Sequence, residues 1–383
     1  MAEVVRVGVL GFGNVGAPLV ALVRDQAAAI AVRTGVHLEI VQVAVRNATP
    51  ERAAAVAPAV LVTEPAEVVG SADVDVIIEL MGGIDPARAL IATALAAGKP
   101  VVTGNKELLA SFGPELFDAA EQAGVDLLFE AAVAGGIPLI RPLRESLVGE
   151  RITRVLGIVN GTTNYILTKM TEEGADYGDA LAEAQRLGYA EADPTADVEG
   201  YDAGAKAAII ASIAFGARVV AGDVYHEGIT NITAVDIAFA KRLGYVVKLL
   251  AVAEEVDGAV GVRVHPAMVP LHHPLAAVRE SYNAVFIEGD AVGNLMFYGR
   301  GAGGAPTASA VLGDLIDAAS NLKRGASGRV GVLGVVPLRP IDEVRSEYYL
   351  NLEVADLPGV LAAVATVFAE HGVSIRSMEQ EGL

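Results

Sequence analysis

A cluster of acidic residues with one lysine lies between residues 187 and 206, in the segment LGYAEADPTADVEGYDAGAK. The small apolar residues at its end predict a buried helix over roughly residues 201–215. Asp202 and Lys206 are four residues apart, so they lie one turn apart on the same face of this helix. Such a pair is either an ordinary surface ion pair, which stabilises little, or an acid–base pair in a reaction. The acids of the segment are Glu191, Asp193, Asp197, Glu199 and Asp202.

A glycine-rich turn near the N-terminus can bind a dinucleotide. Gly11, Gly13 and Gly16 form G-x-G-x-x-G directly after the apolar run VVRVGVL and before the helical pattern PLVALVRDQAAAIA. The glycines allow a tight turn and a close approach of the backbone to a pyrophosphate, and the helix N-terminus favours the anion. The alternative is a turn that only joins a strand to a helix. The strand and helix on either side favour the dinucleotide.

Arg46 follows the second predicted strand, HLEIVQVAV. An NAD-selective site usually has an acidic residue here to hold the ribose 2′-hydroxyl. An arginine suits a 2′-phosphate instead, so the sequence favours NADP and leaves NAD possible. The alternative is a solvated loop arginine.

Three further turns carry candidate ligand groups. Thr103 to Lys106 (TGNK) follow a strand, at the end where α/β sheets bind ligands, so Lys106 can reach a substrate or the cofactor. The loop EAAVAGGIP, residues 130–138, offers backbone carbonyls that can hold a monovalent cation, although a plain loop is the alternative. The turn GAGGAPT, residues 301–307, can bring bare backbone to a flat ligand, or can serve only as a helix start capped by Thr307.

These turns must be positioned by two kinds of domain. Strands alternate with helical patterns over residues 1–140, which predicts an α/β domain with a parallel, doubly wound sheet. Residues 141–305 combine longer strands with helices, which indicates a second, α+β domain. The pattern PTASAVLGDLIDAASNL predicts a helix, placed within residues 306–335, that returns to the first domain. Residues 345–383 predict strand, helix and strand, in the runs YYLNLEVA, GVLAAVATVFAEHG and VSIRSMEQ.

Composition excludes several classes of function. The chain has 383 residues, 53% of them hydrophobic, which is enough for two or three domains with large cores. A net charge of −19 argues against nucleic acid as a partner. Cysteine is absent, so thiol chemistry and disulfides are excluded. No membrane-spanning run and no signal-peptide pattern is found, so we expect a cytoplasmic protein.

Several of these segments together resemble the homoserine dehydrogenase family, whose members interconvert L-homoserine and L-aspartate 4-semialdehyde with NAD(P). The likeness spans residues 4–335. Its most specific segments are the acidic motif and NGTTNYIL at residues 160–167. The resemblance implies a Rossmann-type nucleotide domain, an α+β substrate and dimerisation domain, and a homodimer or higher homo-oligomer. The other segments that carry it are GFGNVG, TGNK, EAAVAGGIP and GRGAGGAPTASAVLGDL.

The resemblance also implies roles for single residues. Lys206 would give and take the proton, Glu191 and Asp202 would bind the substrate, and Lys106 would assist at the substrate and the nicotinamide. A hydride that reduces an aldehyde leaves negative charge on its oxygen, which an ammonium stabilises and protonates. Phe12, Asn14, Val15 and Gly303 would line the cofactor. With the turns described above, the predicted cofactor contacts are Gly11, Phe12, Gly13, Asn14, Val15, Gly16, Arg46, Thr103, Lys106 and Gly303. A sodium or potassium ion would bind the backbone of Val133, Gly135 and Ile137, with Glu130 beside it.

The C-terminal segment resembles the first half of an ACT domain, a small ligand-sensing βαββαβ module. DLPGVL at residues 356–361 would be its turn and helix start. Only β-α-β is present, so we expect a partial module whose sheet is not completed within the chain. Control by threonine, which ACT domains of this family often provide, is therefore left open.

Two other interpretations stay open. Another amino-acid-linked NAD(P) dehydrogenase would leave NGTTNYIL and the acidic motif unexplained. A nucleotide-binding sensor without turnover would leave the lysines and carboxylates unexplained. An enzyme that oxidises the same semialdehyde to an acyl phosphate would need a cysteine nucleophile, which the chain lacks.

Overall fold

The structure, a computed structural model, describes residues 3–328, 330–331, 333–378 and 380. It divides into two compact units, Met1–Val344 and Arg345–Leu383. In the described part of the chain, no helix is both long and apolar enough to span a bilayer.

The first sheet is parallel throughout, as predicted for a doubly wound domain. Its six strands run in the order β3-β2-β1-β4-β5-β6, so the carboxyl ends of all six meet at one edge. Pairs of this kind need a crossover between strands, and helices provide most of them. The strands are β1 (Glu3–Leu10), β2 (Val36–Ala44), β3 (Val60–Val62), β4 (Val76–Glu79), β5 (Val101–Thr103) and β6 (Leu127–Leu128), and the helices α1 (Gly16–Thr34), α2 (Pro50–Val56), α3 (Pro65–Gly70), α4 (Ala87–Ala96) and α5 (Lys106–Ala123).

The second sheet is mixed and mostly antiparallel. Its order is β12-β11-β7-β9-β10-β8, with only the β8–β10 pair parallel. The helix predicted over residues 201–215 forms with those bounds, as α9. The elements are β7 (Ile152–Ile158), α6 (Gly161–Glu173), α7 (Tyr177–Arg186), α8 (Thr195–Val198), α9 (Tyr201–Phe215), β8 (Tyr225–His226), α10 (Ala234–Arg242), β9 (Tyr245–Val256), β10 (Ala259–Pro270), β11 (Tyr282–Gly289) and β12 (Gly293–Arg300).

The predicted return helix is present and spans Gly304–Arg324 (α11), which includes the whole pattern PTASAVLGDLIDAASNL. It ends because Gly325 adopts a left-handed conformation, φ 64°, and it does not continue to residue 335. Its buried face joins the core of the first sheet, where it packs against α1. The core residues on this face of the helix are Ala308, Val311, Leu315, Ala318 and Ala319.

One continuous hydrophobic core links the two sheets. Helix α5 of the first sheet packs against α9 of the second, and both contribute buried residues to the same cluster. Small side chains on α9, among them Ala203 and Ala207, allow the two helices to approach closely. The first residue of α5 is Lys106, and the first turn of α9 carries Asp202, so this packing brings two predicted site residues together.

The second unit contains one helix, α12 (Val360–Glu370), among its described residues. The strands expected over YYLNLEVA and VSIRSMEQ are not formed at the described positions, and Glu379 of the second run lies outside them. A strand needs a neighbour for its backbone hydrogen bonds, and the described residues place none beside these runs. Short 3₁₀ and π segments complete the structure, at Glu130–Ala132, Pro142–Ser146, Ala221–Asp223, Pro274–Ala277 and Ile341–Glu343.

Candidate active site

Asp202 lies at the centre of a group of charged side chains. Its Oδ2 accepts a hydrogen bond of 2.6 Å from Lys206 Nζ, and its Oδ1 forms an ion pair with Lys106 Nζ. Asp202 is only 8% exposed, so the pair is not the ordinary surface ion pair that the sequence left open. Burial alone would raise the pKa of Asp202, but the ammonium groups of Lys206 and Lys106 outweigh it and hold the pKa well below its usual range. Asp202 is therefore ionised at neutral pH.

Lys106 is held by the same carboxylate. Burial would lower the pKa of Lys106, but the charge and hydrogen bond of Asp202 more than offset it, so the pKa is raised above its ordinary value. Lys106 therefore provides a fixed positive charge at the first residue of α5.

Lys206 is held from two sides. Its Nζ donates to Asp202 and also to the backbone oxygen of Val159, at 2.7 Å. Its side chain is 12% exposed, so the ammonium keeps limited access to solvent. Helix α9 begins after Gly200, whose φ of 84° turns the chain into the helix and places both charged residues in its first two turns.

Asn160 belongs to this group, although no local signal within NGTTNYIL singles it out for a role at the site. Its Nδ2 donates to Asp202 Oδ2 at 2.9 Å and to Asp197 Oδ1 at 2.7 Å. Its Oδ1 accepts from the backbone of Thr163 and caps α6. An Asn directly before a helix is a cap signal, but its contacts with Asp197 and Asp202, 37 and 42 positions later, depend on the fold.

A cleft of about 270 Å³ opens beside the two lysines. Four loops and two helix starts surround it, and three of the loops follow strands of the first sheet. The turns TGNK, EAAVAGGIP and GAGGAPT, expected separately from the sequence, therefore meet at one place. The lining residues are Gly82, Gly83, Gly104, Asn105, Lys106, Glu107, Ala131, Ala132, Gly135, Lys206, Gly301, Ala302 and Thr307.

The glycine fingerprint lies at the edge of the first sheet, between β1 and α1. Gly11 has φ 109°, and a Cβ there would lie 2.7 Å from the carbonyl oxygen of Leu80. Gly13 is exposed with open space above it, as a ligand-facing position requires. Asn14 is exposed too, whereas Phe12 and Val15 are partly buried and pack against the core of the first sheet.

Glu79 is a buried carboxylate that the sequence analysis did not identify. It ends β4 with no exposed surface and accepts hydrogen bonds from Met81 N, Gly82 N and Thr103 Oγ1, the last at 2.6 Å. It therefore holds together the turns after β4 and β5. Thr103, predicted to contact the cofactor, is fully buried and serves as a support for the turn. The sequence signal for Glu79 is its position, because it is a charged residue at the end of the apolar strand β4.

In the loop of residues 130–138, the carboxylate of Glu130 accepts hydrogen bonds from the backbone, whereas the carbonyl oxygens proposed as cation ligands do not accept any that the structure describes. Both oxygens of Glu130 accept backbone N–H groups of residues 139–141, at distances from 2.5 to 2.9 Å. Among the described residues, no hydrogen bond ends on the carbonyl oxygens of Val133, Gly135 or Ile137. The carbonyl oxygens of the predicted cation site therefore accept no described hydrogen bond, while Glu130 fixes the loop that carries them.

Arg46, Glu191 and Gly303 form no described contact with the group around Asp202. Arg46 is exposed at the end of β2, and Glu191 is exposed; within the described residues neither side chain forms a hydrogen bond or ion pair. Gly303 is the N-cap of α11, with φ 123°, next to the cleft-lining residue Ala302. Gly304 approaches the glycine fingerprint directly, since a Cβ there would lie 2.3 Å from Asn14 O.

The arrangement suits proton transfer beside a bound nucleotide. Two lysines face a cleft, a buried ionised carboxylate orients them, and glycine turns leave backbone accessible nearby. An ammonium placed at a cleft can stabilise and protonate an oxygen that gains negative charge. In the described part of the chain, no group of three or more His, Asp or Glu side chains could hold a metal ion.

Three family models match the chain. Residues 11–130 match a model described as "Homoserine dehydrogenase, NAD binding domain", and residues 138–316 match "Homoserine dehydrogenase". Residues 348–382 match the ACT domain.

Curated relatives and solved structures agree with these matches. The homoserine dehydrogenase of Mycobacterium tuberculosis is 53% identical over 386 aligned residues, which cover 99% of this chain and 87% of the relative. That of Corynebacterium glutamicum is 51% identical over 384 residues, 98% of this chain and 86% of the relative. A crystal structure of a homoserine dehydrogenase from Thiobacillus denitrificans superposes with a TM-score of 0.92 at 42% identity, covering 99% of this chain and 89% of that one. A hyperthermophilic archaeal homoserine dehydrogenase in complex with NADPH has a TM-score of 0.70 at 29% identity, over 82% of this chain and 98% of that one.

Proposed function

We infer the function from the premise that this chain belongs to the homoserine dehydrogenase family. It is an NAD(P)-dependent oxidoreductase that interconverts L-homoserine and L-aspartate 4-semialdehyde. The observation that carries this function is the buried Asp202 carboxylate, held between Lys106 and Lys206 at a cleft formed by the predicted turns.

We propose that Lys206 is the acid and base of the reaction. When the aldehyde is reduced, its ammonium would give a proton to the carbonyl oxygen, and in the reverse direction its amine would take the proton from the hydroxyl group. The bound nicotinamide would supply or accept the hydride. Asp202 orients Lys206 through the 2.6 Å hydrogen bond, and Lys106 adds positive charge from the other side.

Substrate binding would change the pairing of Asp202. Two lysines share this carboxylate in the structure, and the substrate's ammonium is a third cation that we propose binds Asp202 and Glu191. If the substrate takes over the oxygen paired with Lys106, that lysine becomes free to contact the substrate and the nicotinamide. The carboxylate of Glu191 is exposed and has no described partner, so it is available for the same ammonium.

The test is reduction of NADP and NAD, followed by absorbance, with L-homoserine as substrate. Reduction that depends on homoserine is expected. If the protein binds NADPH but reduces neither cofactor with homoserine, the activity proposed here is wrong, and a sensor or a different amino-acid dehydrogenase becomes the better interpretation.

We propose that NADP is preferred, with Arg46 holding the 2′-phosphate. The exposed guanidinium at the end of β2 has no described partner to compete with a phosphate. Arg46→Ala should raise the KM for NADP at least about tenfold and leave that for NAD nearly unchanged. Arg33→Ala, at an exposed position of α1, is the matched control. An equal effect on both cofactors would contradict the assignment.

We also propose that a sodium or potassium ion binds the carbonyl oxygens of Val133, Gly135 and Ile137. Oxygen ligands without other partners suit a hard cation, and Glu130 holds their loop in place. Activity should be higher in sodium or potassium chloride than in tetramethylammonium chloride at equal ionic strength. Equal activity in the three salts would remove the site from the proposal.

The assembly and location are proposed from the family. A homodimer would have twice the chain mass of 39.3 kDa, which light scattering measures directly. A monomer in solution would contradict this. We propose a cytoplasmic location, and export of the protein to the medium would exclude it.

A further inference from the structure

The side chain of Asn160 forms four hydrogen bonds, divided between two tasks. Its carbonyl oxygen accepts from Thr163 N and Thr163 Oγ1, each at 2.9 Å, and so caps α6. Its amide nitrogen donates both hydrogens, to Asp202 Oδ2 at 2.9 Å and to Asp197 Oδ1 at 2.7 Å. The residue is 4% exposed. One side chain thus satisfies the cap and two carboxylates, and only glutamine, whose side chain is one methylene longer, carries the same donors and acceptor.

Asn160 and its neighbour hold both members of the acid–base pair. The oxygen of Asp202 that accepts from Asn160 is also the oxygen that accepts from Lys206. Lys206 in turn donates to the backbone oxygen of Val159, the preceding residue. Two consecutive residues thus fix the carboxylate and the ammonium relative to one another. Asn160 also separates the negative charges of Asp197 and Asp202 with a polar amide.

The start of α6, which carries Asn160, is held in place from the opposite side. Asn164, one turn further, donates to the backbone oxygen of Glu280 at 2.8 Å and accepts from the buried ammonium of Lys248 at 2.9 Å. Gly161 packs closely on the backbone of Ser281, the residue after Glu280: a Cβ at Gly161 would lie 2.7 Å from Ser281 O. The amide of Asn160 is therefore presented to Asp202 by a rigid element.

We propose that Asn160 is a positioning residue for the reaction: its amide hydrogens orient the Asp202 carboxylate so that Asp202 holds Lys206 in line with the reacting oxygen. The proposal rests on the proposed function for its kinetic readout. It assigns Asn160 no contact with the substrate, so its effect reaches the reaction through Asp202 and Lys206.

Two variants separate this role from the helix cap. Asn160→Ser and Asn160→Asp both keep a capping oxygen, and both remove the two amide hydrogens. Thr233→Ala, which removes the N-cap of α10 away from the cleft, is the control for a lost cap elsewhere. Thermal unfolding and NADPH binding are measured for all three variants, and NADPH binding should stay close to wild type for the two Asn160 variants.

Asn160→Ser should lower kcat by about 10- to 100-fold with the KM for the cofactor unchanged. Asn160→Asp should show a distinct pH dependence. When ionised, the new carboxylate repels Asp197 and Asp202; when protonated, it can again donate a hydrogen bond. The ratio of its kcat to that of wild type should therefore rise severalfold as the pH is lowered.

The outcomes are decisive in either direction. A kcat within threefold of wild type for both variants, or an Asn160→Asp profile parallel to wild type, would overturn the proposal. If Asn160→Ser does not fold, the pH profile of Asn160→Asp decides alone.

A second readout does not depend on turnover. Acetylation of Lys206 by acetic anhydride, followed by peptide mass spectrometry, should be several times faster in Asn160→Ser than in wild type, because the loosened Asp202 releases the amine. An unchanged rate of Lys206 labelling would overturn the positioning role of Asn160, whether or not wild type is active with homoserine. Absence of activity in wild type would by itself contradict only the proposed function.

Discussion

At the scale of single residues, the site depends on how one carboxylate is shared. Asp202 is buried, ionised, and paired with both lysines, while Asn160 fixes its orientation. An isolated buried carboxylate would be costly, so each cation that pairs with it also stabilises the arrangement. The same contacts that stabilise Asp202 therefore place the two ammonium groups at the cleft.

Lys206→Ala tests the proton-transfer role. We expect kcat to fall by about two to four orders of magnitude, because general acid–base catalysis typically contributes that much. Binding of NADPH, measured by fluorescence titration, should be nearly unchanged, since Lys106 and the glycine turns remain. Loss of NADPH binding together with turnover would mean that Lys206 belongs to the cofactor site.

A second lysine makes a prediction about stability. Lys248 is 2% exposed and donates to Asn164 Oδ1 and Val278 O, neither of which is charged. Burial lowers its pKa from 10.5 to about 8. Between these values the unfolded chain binds more protons than the native one, so this group makes stability rise with pH over that window.

Lys248→Met removes the titrating group and keeps the apolar stem. We compare the free energy of unfolding of wild type with that of the variant. The difference, wild type minus variant, should increase by about 2 kcal/mol between pH 8 and pH 10.5. Urea unfolding at several pH values measures this difference. A difference that does not change with pH would show that Lys248 titrates as in the unfolded chain.

At the scale of elements, the cleft depends on loops that touch through glycine. Gly135 has φ 58°, and a Cβ there would lie 2.2 Å from the carbonyl oxygen of Gly301. Helix α11 begins three residues after Gly301, at Gly304, and a Cβ at Gly304 would lie 2.3 Å from Asn14 O. The three loops can therefore meet only where side chains are absent.

Gly135→Ala should separate two of these loops. We expect a loss of about 2–4 kcal/mol in the free energy of unfolding, from the left-handed conformation and the contact with backbone together. The dependence of activity on sodium or potassium should weaken in parallel. Gly149→Ala, where φ is not left-handed and the space is open, is the matched control and should change stability by less than about 1 kcal/mol. Equal effects of the two substitutions would contradict the close contact.

At the scale of the whole molecule, a buried acid connects α11 to the segment that leads from the first sheet to the second. Asp314 accepts from Glu130 N at 2.7 Å and from Arg141 Nη2 at 3.2 Å. Burial raises the pKa of Asp314 from 3.8 to about 7, although the hydrogen bond from Glu130 N lowers it. The native protein therefore holds a proton here that the unfolded chain releases at lower pH.

Asp314→Asn should remove this dependence. The native state binds more protons between pH 3.8 and pH 7, so the stability that Asp314 contributes is lost as the pH rises through this window. We expect the free energy of unfolding of wild type to fall on the order of 2 kcal/mol relative to the variant over this range. Asp25→Asn, at an exposed carboxylate, is the control. Parallel stability curves for wild type and Asp314→Asn would show that the buried acid does not take up the proton.

The local patterns determined much of this protein. Apolar runs ending in glycine turns predicted the parallel sheet, the spacing of Asp202 and Lys206 predicted their pairing, and the quoted motifs predicted the family. Each of these signals lies within a few residues of the chain, because turn conformation and helix periodicity are local properties.

Only the tertiary structure decided which of these segments share a site. Lys106 and Asp202 are nearly a hundred positions apart, and they meet because α5 and α9 pack in one core. The same holds for Asn160, Glu79 and Lys248, whose partners come from other elements. The expected strands of the C-terminal unit failed for a related reason, since a strand forms only beside a partner. Contacts of this kind depend on the packing of distant segments, which no local pattern records.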